Sequence, residues 1–236
     1  VLRRWRPAAH QFLQGEAARA FLQDDRYCET ANGIGLDLGR LDRSARERIR
    51  WVRSLIEAAR GRPPRFNCFG LHEWAMVYKA KEIRHETTPL RLSPEEVAAV
   101  VENSSIRCSH WDAYRFFTPQ ARPLNELSPG PDERERNEQF GCIHFNMDLY
   151  RWTYKGSPWL GSDLLRSCFE LALEARELDM RASPYDISEY GYPAIRIETA
   201  AGRDEYREEQ QRIYRSGQGL AERLLEECAF VLASGK

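Results

Sequence analysis

Three short segments each place a cysteine, a histidine and a carboxylate close together: Cys68-Phe69-Gly70-Leu71-His72-Glu73-Trp74, Cys108-Ser109-His110-Trp111-Asp112 and Cys142-Ile143-His144-Phe145-Asn146-Met147-Asp148. They hold three of the chain's five histidines, while His10 and His85 sit in plainer surroundings. If the segments converge, Glu73, Asp112 and Asp148 share a pocket with aromatic walls, where burial raises a carboxyl pKa or a general base is held near a bound water. The same pattern has a structural reading, because cysteine packs as a small apolar group and a hydrogen-bonded histidine completes many cores. Thiolate and imidazole are also zinc ligands, so Cys68, His72, Cys108, His110, Cys142 and His144 define a metal alternative. No Cys-x2-Cys pair is present, and the expectation is a site with no metal and no cofactor.

Around these segments lie groups suited to nucleic acid. Residues 60–91 carry seven basic against three acidic side chains, whereas residues 203–227 carry five against seven. Arginines interleave with Phe66, Phe69, Trp74 and Tyr78, and Arg107 and Arg115 with Trp111, Tyr114, Phe116 and Phe117. These are the residue types that hold phosphates and stack an unpaired base; an aromatic core beneath a solvated arginine face has the same composition. Gly33 and Gly35 lack the third glycine and the Lys-Ser/Thr of a phosphate loop, so Asn32-Gly33-Ile34-Gly35 reads as a turn.

Longer motifs add a resemblance. Leu71-His72-Glu73-Trp74-Ala75-Met76-Val77-Tyr78, the run from Ile106 to Pro119, Gly141-Cys142-Ile143-His144 with Met147-Asp148-Leu149-Tyr150, and the run from Leu178 to Asp186 resemble a bacterial family labelled 3-methyladenine DNA glycosylase. The likeness runs nearly end to end, and Leu2-Arg3-Arg4-Trp5 looks like a segment that in the family follows further N-terminal sequence. The helix-hairpin-helix glycine run and the Gly-Gln-Asp-Pro-Tyr loop of better-known glycosylases are missing. The resemblance implies hydrolysis of the N-glycosidic bond of a modified base flipped out of double-stranded DNA. Positive charge then develops on the sugar, and one carboxylate near C1′ is the minimum equipment.

Asp112 is the first candidate for that carboxylate, followed by Asp148 and Glu73. His72, His110 and His144 would orient it, assist the leaving base or contact phosphate. Trp74, Tyr78, Trp111, Phe116 and Phe117 are candidate pocket walls or stacking groups, with Arg107 and Arg115 as phosphate or base contacts. Four lysines among 35 basic residues favour a monofunctional hydrolase over an amine-dependent lyase. An alkylated purine and a bulky phage base such as glucosylated hydroxymethylcytosine both suit these residues, for repair or for antiviral defence. The alternatives are a metal-dependent hydrolase of a nucleotide or other small substrate, and a DNA-binding module without chemistry.

The elements that would position these groups are mostly helical. Apolar residues recur at helical steps over Ser44–Ala59, Leu71–Lys81 and Leu164–Leu178, the last stopped by Ser183-Pro184. Ser93-Pro94-Glu95-Glu96 is a capping box that opens a helix to about Glu102. A helical stretch to about Leu22, short strands leading into helices near Ile106 and Cys142, a strand over Ala194–Thr199, and two helices over Arg203–Tyr214 and Leu220–Ala233 complete the reading. Residues 119–138, with four prolines and a charge run, read as a long surface loop. The fold expected is mainly α, or α+β with a small sheet, as a single compact helical domain over 1–236.

With 236 residues, 42% of them hydrophobic, the chain can bury a substantial core, and collagen-like or extensively disordered structure is excluded. A net charge of −1 means that a polyanion must meet a local basic surface. Six cysteines and no leader-like apolar run suggest a reduced, cytoplasmic protein with no membrane association and no obligatory protein partner.

Overall fold

The structure is a computed structural model that describes residues 5–83, 85 and 87–234. It is mainly helical, with a two-stranded antiparallel sheet. The α-helices are α1 (Arg43–Arg60), α2 (Leu71–Val77), α3 (Pro94–Glu102), α4 (Trp111–Tyr114), α5 (Arg134–Asn137), α6 (Ile143–Gly156), α7 (Ser162–Ala182) and α8 (Ala200–Ser234). The expected opening Leu2-Arg3-Arg4, and Arg84 of the basic stretch, lie outside the described residues.

Local sequence explains where the helices begin. The Asp42 carboxylate accepts from the Ala45 amide at 2.8 Å and caps α1, while Ser93 and Glu96 complete a reciprocal capping box on α3. α1 buries Ile49, Val52, Leu55, Ile56 and Ala59 along one stripe. α7 buries Leu164, Cys168, Leu171, Ala175, Leu178 and Ala182. α6, α7 and α8 pack against one another, α1 leans on α8, and their apolar faces form one connected core.

The small sheet joins β1 (Tyr27–Thr30) to β2 (Gly33–Leu36), with Tyr27 opposite Leu36 and Thr30 opposite Gly33. Gly33 has φ 122°, and a Cβ there would lie 2.5 Å from the Leu13 carbonyl oxygen. The glycines therefore serve a tight hairpin, as the turn reading requires.

Several expectations need correction. Ala194–Thr199 is not a strand: Ile195 and Ile197 are fully buried, and the Ile195 amide donates to the Arg181 carbonyl in a coil packed on α7. The two predicted C-terminal helices are one continuous helix, α8. A Cβ at Gly217 would lie 1.8 Å from Asn146 Oδ1, so that glycine permits close packing on α6 and does not end a helix. α2 stops at Val77 rather than Lys81, ahead of Lys79 with φ 48°. The stretch to Leu22 is 3-10 helix, and Ile106 forms a lone bridge to Asn125 in place of a strand. Cys142 is extended backbone immediately before α6, with no strand.

Residues 119–138 run largely over the surface but are not without secondary structure. The segment holds two 3-10 turns and α5, buries Ala121, Asn125 and Glu138, and delivers Arg134 and Glu138 to the interior. Among the described residues, no helix is long and apolar enough to cross a membrane.

Candidate functional site

His72, Glu73, His110, Asp112, His144 and Asp148 come together in one polar network inside the helical core. α2 presents His72 inward, where its Nε2 donates to Asp179 Oδ1 at 2.7 Å and its Nδ1 lies 3.5 Å from Cys68 Sγ. Asp179, on α7, is fully buried, and its second oxygen accepts from Arg176 at 2.8 Å. The same guanidinium lies 3.5 Å from Glu73 Oε1. Arg176 and Asp179 are three residues apart and thus share a face of α7.

His144, at the start of α6, links this end to the other. Its ring lies 4.5 Å from that of His72 and stacks on His110 at 5.3 Å, and its Nε2 is 3.8 Å from Asp179 Oδ2. One and two turns along α6, Asp148 and Arg151 follow on the same face. His110 Nε2 lies 3.2 Å from Asp148 and 3.7 Å from Glu138. Arg134 donates to Glu138 at 2.6 Å, to Asp148, and to Asp112 at 3.4 Å, while Arg151 also donates to Asp112.

Environment sets the three candidate carboxylates apart. Burial raises the Glu73 pKa, the Asp179 charge adds to the effect, and together they outweigh Arg176 and place it at about 7. Burial also acts on Asp148, but hydrogen bonding and charge from His110, with Arg134 and Arg151 beyond, hold it at about 2. For Asp112, burial is outweighed by Arg151 and Arg134, and its pKa falls below the ordinary value. Burial disfavours a charged His72, yet the Asp179 carboxylate raises its pKa well above the usual value. His144, buried beside that charge, is lowered to about 3 and stays neutral.

A pocket of about 240 Å³ opens at the Glu73 end, walled by Tyr185, Tyr190, Tyr192, Met180, Ile187 and Arg176. Tyr190 stands at its mouth with 67% of its surface exposed. Its polar groups and aromatic walls match the usual make-up of a small-molecule site.

The predicted stacking groups divide. Trp74, Tyr78 and Phe117 are core residues and cannot hold a base: Trp74 is fully enclosed with its indole N–H on the Ala182 carbonyl, and Tyr78 is tied to Glu102 at 2.7 Å. Trp111 and Phe116 are half-buried, Arg115 is exposed 4.4 Å from the Phe116 ring centre, and Arg107 pairs with Glu126 at 2.7 Å.

The metal alternative loses its cysteines. Among the described residues, the donor sets whose atoms lie within 4.8 Å of one another are His72, His144 and Asp179, and His110, Glu138 and Asp148. In each set a guanidinium already neutralises a carboxylate: Arg176 on Asp179, and Arg134 on Glu138 and Asp148. We therefore assign neither set as metal ligands.

Sequence reasoning missed Arg134, Glu138, Arg176, Asp179 and the three tyrosines. A charge in the apolar stripe of α7 was the available sign for Asp179, and the four-residue spacing of Arg134 and Glu138 lay within the charge run. Comparison of the chain with protein-family models, curated proteins and solved structures gives no significant match.

Proposed function

We propose that the protein is a DNA glycosylase that hydrolyses the N-glycosidic bond of a flipped-out modified base, with Glu73 as the carboxylate at the sugar. The observation that carries this reading is the Glu73 carboxyl on the wall of a tyrosine-lined pocket, its pKa placed near 7 by burial and by Asp179. The motif resemblance to the glycosylase family points the same way.

In this mechanism the base enters between the tyrosines, where stacking offsets the cost of leaving the duplex. As the C1′–N bond breaks, its electron pair leaves with the base and positive charge spreads over the sugar. Ionised Glu73 stabilises that charge and takes a proton from the water whose oxygen bonds to C1′. Arg176, within 3.5 Å of Glu73, orients the carboxylate, and the His72–Asp179 pair ties α2 to α7 behind it. Asp112 ranks below Glu73 because Arg134 and Arg151 occupy one of its oxygens and Arg115 lies by the other.

An alkylated purine leaves readily because it already carries positive charge. A glucosylated cytosine needs room, which the open mouth at Tyr190 provides. The test is incubation with alkylated DNA and with DNA containing glucosylated hydroxymethylcytosine, scoring alkali-labile abasic sites. Excision of at least one base, abolished in Glu73→Gln, is expected. No abasic sites on either DNA, or full activity in the variant, overturns the proposal.

A further inference from the structure

Away from the tyrosine pocket lies a second cavity of about 200 Å³ with a different lining: Arg62, Arg65, Arg107 and Arg136, with Ser109 and Gln139 between them. Two segments hold it in shape. The Gln139 side-chain oxygen accepts from the amides of Arg65 and Gly141, at 3.0 and 2.6 Å, and Arg62 donates to the Glu138 carbonyl at 2.7 Å. A Cβ at Gly141 would lie 2.3 Å from the Arg65 carbonyl oxygen, so the segments meet backbone to backbone.

The charge balance in this cavity is positive. Glu126 pairs with Arg107 and Glu133 with Arg136, both carboxylates substantially exposed; among the described residues no carboxylate pairs with Arg62 or Arg65. Arg107 Nε is buried with no partner in the structure. Four guanidiniums around one cavity, whose apolar wall is Pro63, Leu127 and the arginine stems, suit a tetrahedral oxyanion. Arg65, Arg107, Ser109 and Gln139 also line a smaller cavity of about 20 Å³ that reaches His72 and His144. The same four side chains therefore border both the cleft and the cavity beside the histidines.

We propose that this arginine cleft binds a phosphodiester group of the DNA backbone and fixes the strand while the tyrosine pocket takes the base. The inference rests on the glycosylase reading for the identity of the polyanion, but its test requires no excision. Arg65 and Arg136 are exposed, and the carboxylate that pairs with Arg136 is Glu133, on the surface side, so Arg65→Gln/Arg136→Gln should fold normally.

Binding of a labelled, unmodified DNA duplex, followed by anisotropy across a salt series, should weaken in this double variant. The slope of log affinity against log salt should become shallower by about 0.9 for each phosphate that the variant no longer neutralises. Arg65→Lys/Arg136→Lys should recover most of the slope, and Arg166→Gln, on the outer face of α7, should leave it unchanged. An unchanged slope in the glutamine variant overturns the proposal. So does displacement of the effect onto inorganic phosphate, with phosphate binding abolished in the variant but duplex binding intact. A reduced slope in a protein that excises no base supports the cleft while removing the glycosylase reading; excision with an unchanged slope does the reverse.

Discussion

The two ends of the buried network contain the same kinds of residue, but burial raises a different glutamate at each: Glu138, fully enclosed, at one, and Glu73, on a pocket wall, at the other. At the α4–α5–α6 end, Arg134 and Arg151 divide themselves among Asp112, Glu138 and Asp148, and Asp112 and Asp148 are held ionised. At the α2–α7 end, one half-exposed arginine serves both Glu73 and Asp179; Asp179 also takes the His72 hydrogen bond and keeps the charge, leaving Glu73 poised near neutrality. Each end pairs ionised aspartate with one glutamate that burial raises, and of the two glutamates Glu73 is the one that lines the tyrosine pocket. A carboxyl that is neither locked nor free is the kind that enzymes use near pH 7.

The largest effect that would break this comparison is on excision. Glu73→Gln should lower the single-turnover rate about 10²–10⁴-fold, the usual contribution of a positioned acid or base, whereas Asp112→Asn should change it less than about tenfold. Equal losses in the two variants would erase the distinction between the ends. Next comes stability. Asp179→Ala leaves a buried His72 charge without its partner and should cost about 3–5 kcal/mol in denaturant unfolding, well beyond the effect of removing Glu73.

A smaller effect concerns pH. The folded-state pKa of Glu73 lies above the ordinary value, so the folded protein binds the extra proton. Its contribution to stability should fall as pH rises from about 4.5 through about 7, by on the order of 3 kcal/mol in total. Glu73→Gln should flatten the unfolding free energy over that window, while Asp112→Asn should not. The excision rate should rise over the same interval, because the ionised carboxylate is the active form. A rate that falls through pH 7 would recast Glu73 as an acid.

Much of the helical scaffold was legible in the sequence because local rules decide it. The Ser93 capping box marks a helix start, and the apolar stripes of α1 and α7 match their buried faces. Where tertiary packing overrode the local pattern, the reading failed. The glycine at 217 looks like a break and is a contact with Asn146. The isoleucines at 195 and 197 look like a strand and are core residues of a coil. Prolines and charges at 119–138 look like solvent-facing loop, yet Arg134 and Glu138 neutralise each other in the interior, a pairing only three dimensions reveal.

The same limit governs the site. Cysteine, histidine and acid clustering located the network, but composition cannot say which acid meets two arginines and which meets half of one. Nor could it separate Trp74, enclosed in the core, from Tyr190 at a pocket mouth.

The unbroken C-terminal helix has a mechanical consequence. Its 35 residues form a rod about 52 Å long, and bending it midway would sacrifice successive main-chain hydrogen bonds. Tyr206 and Gln210, which face the inner cavity, belong to this beam. The tyrosine pocket takes no lining residue from this beam, so its shape is set by α2, α7 and the stretch bearing Tyr185, Tyr190 and Tyr192 instead.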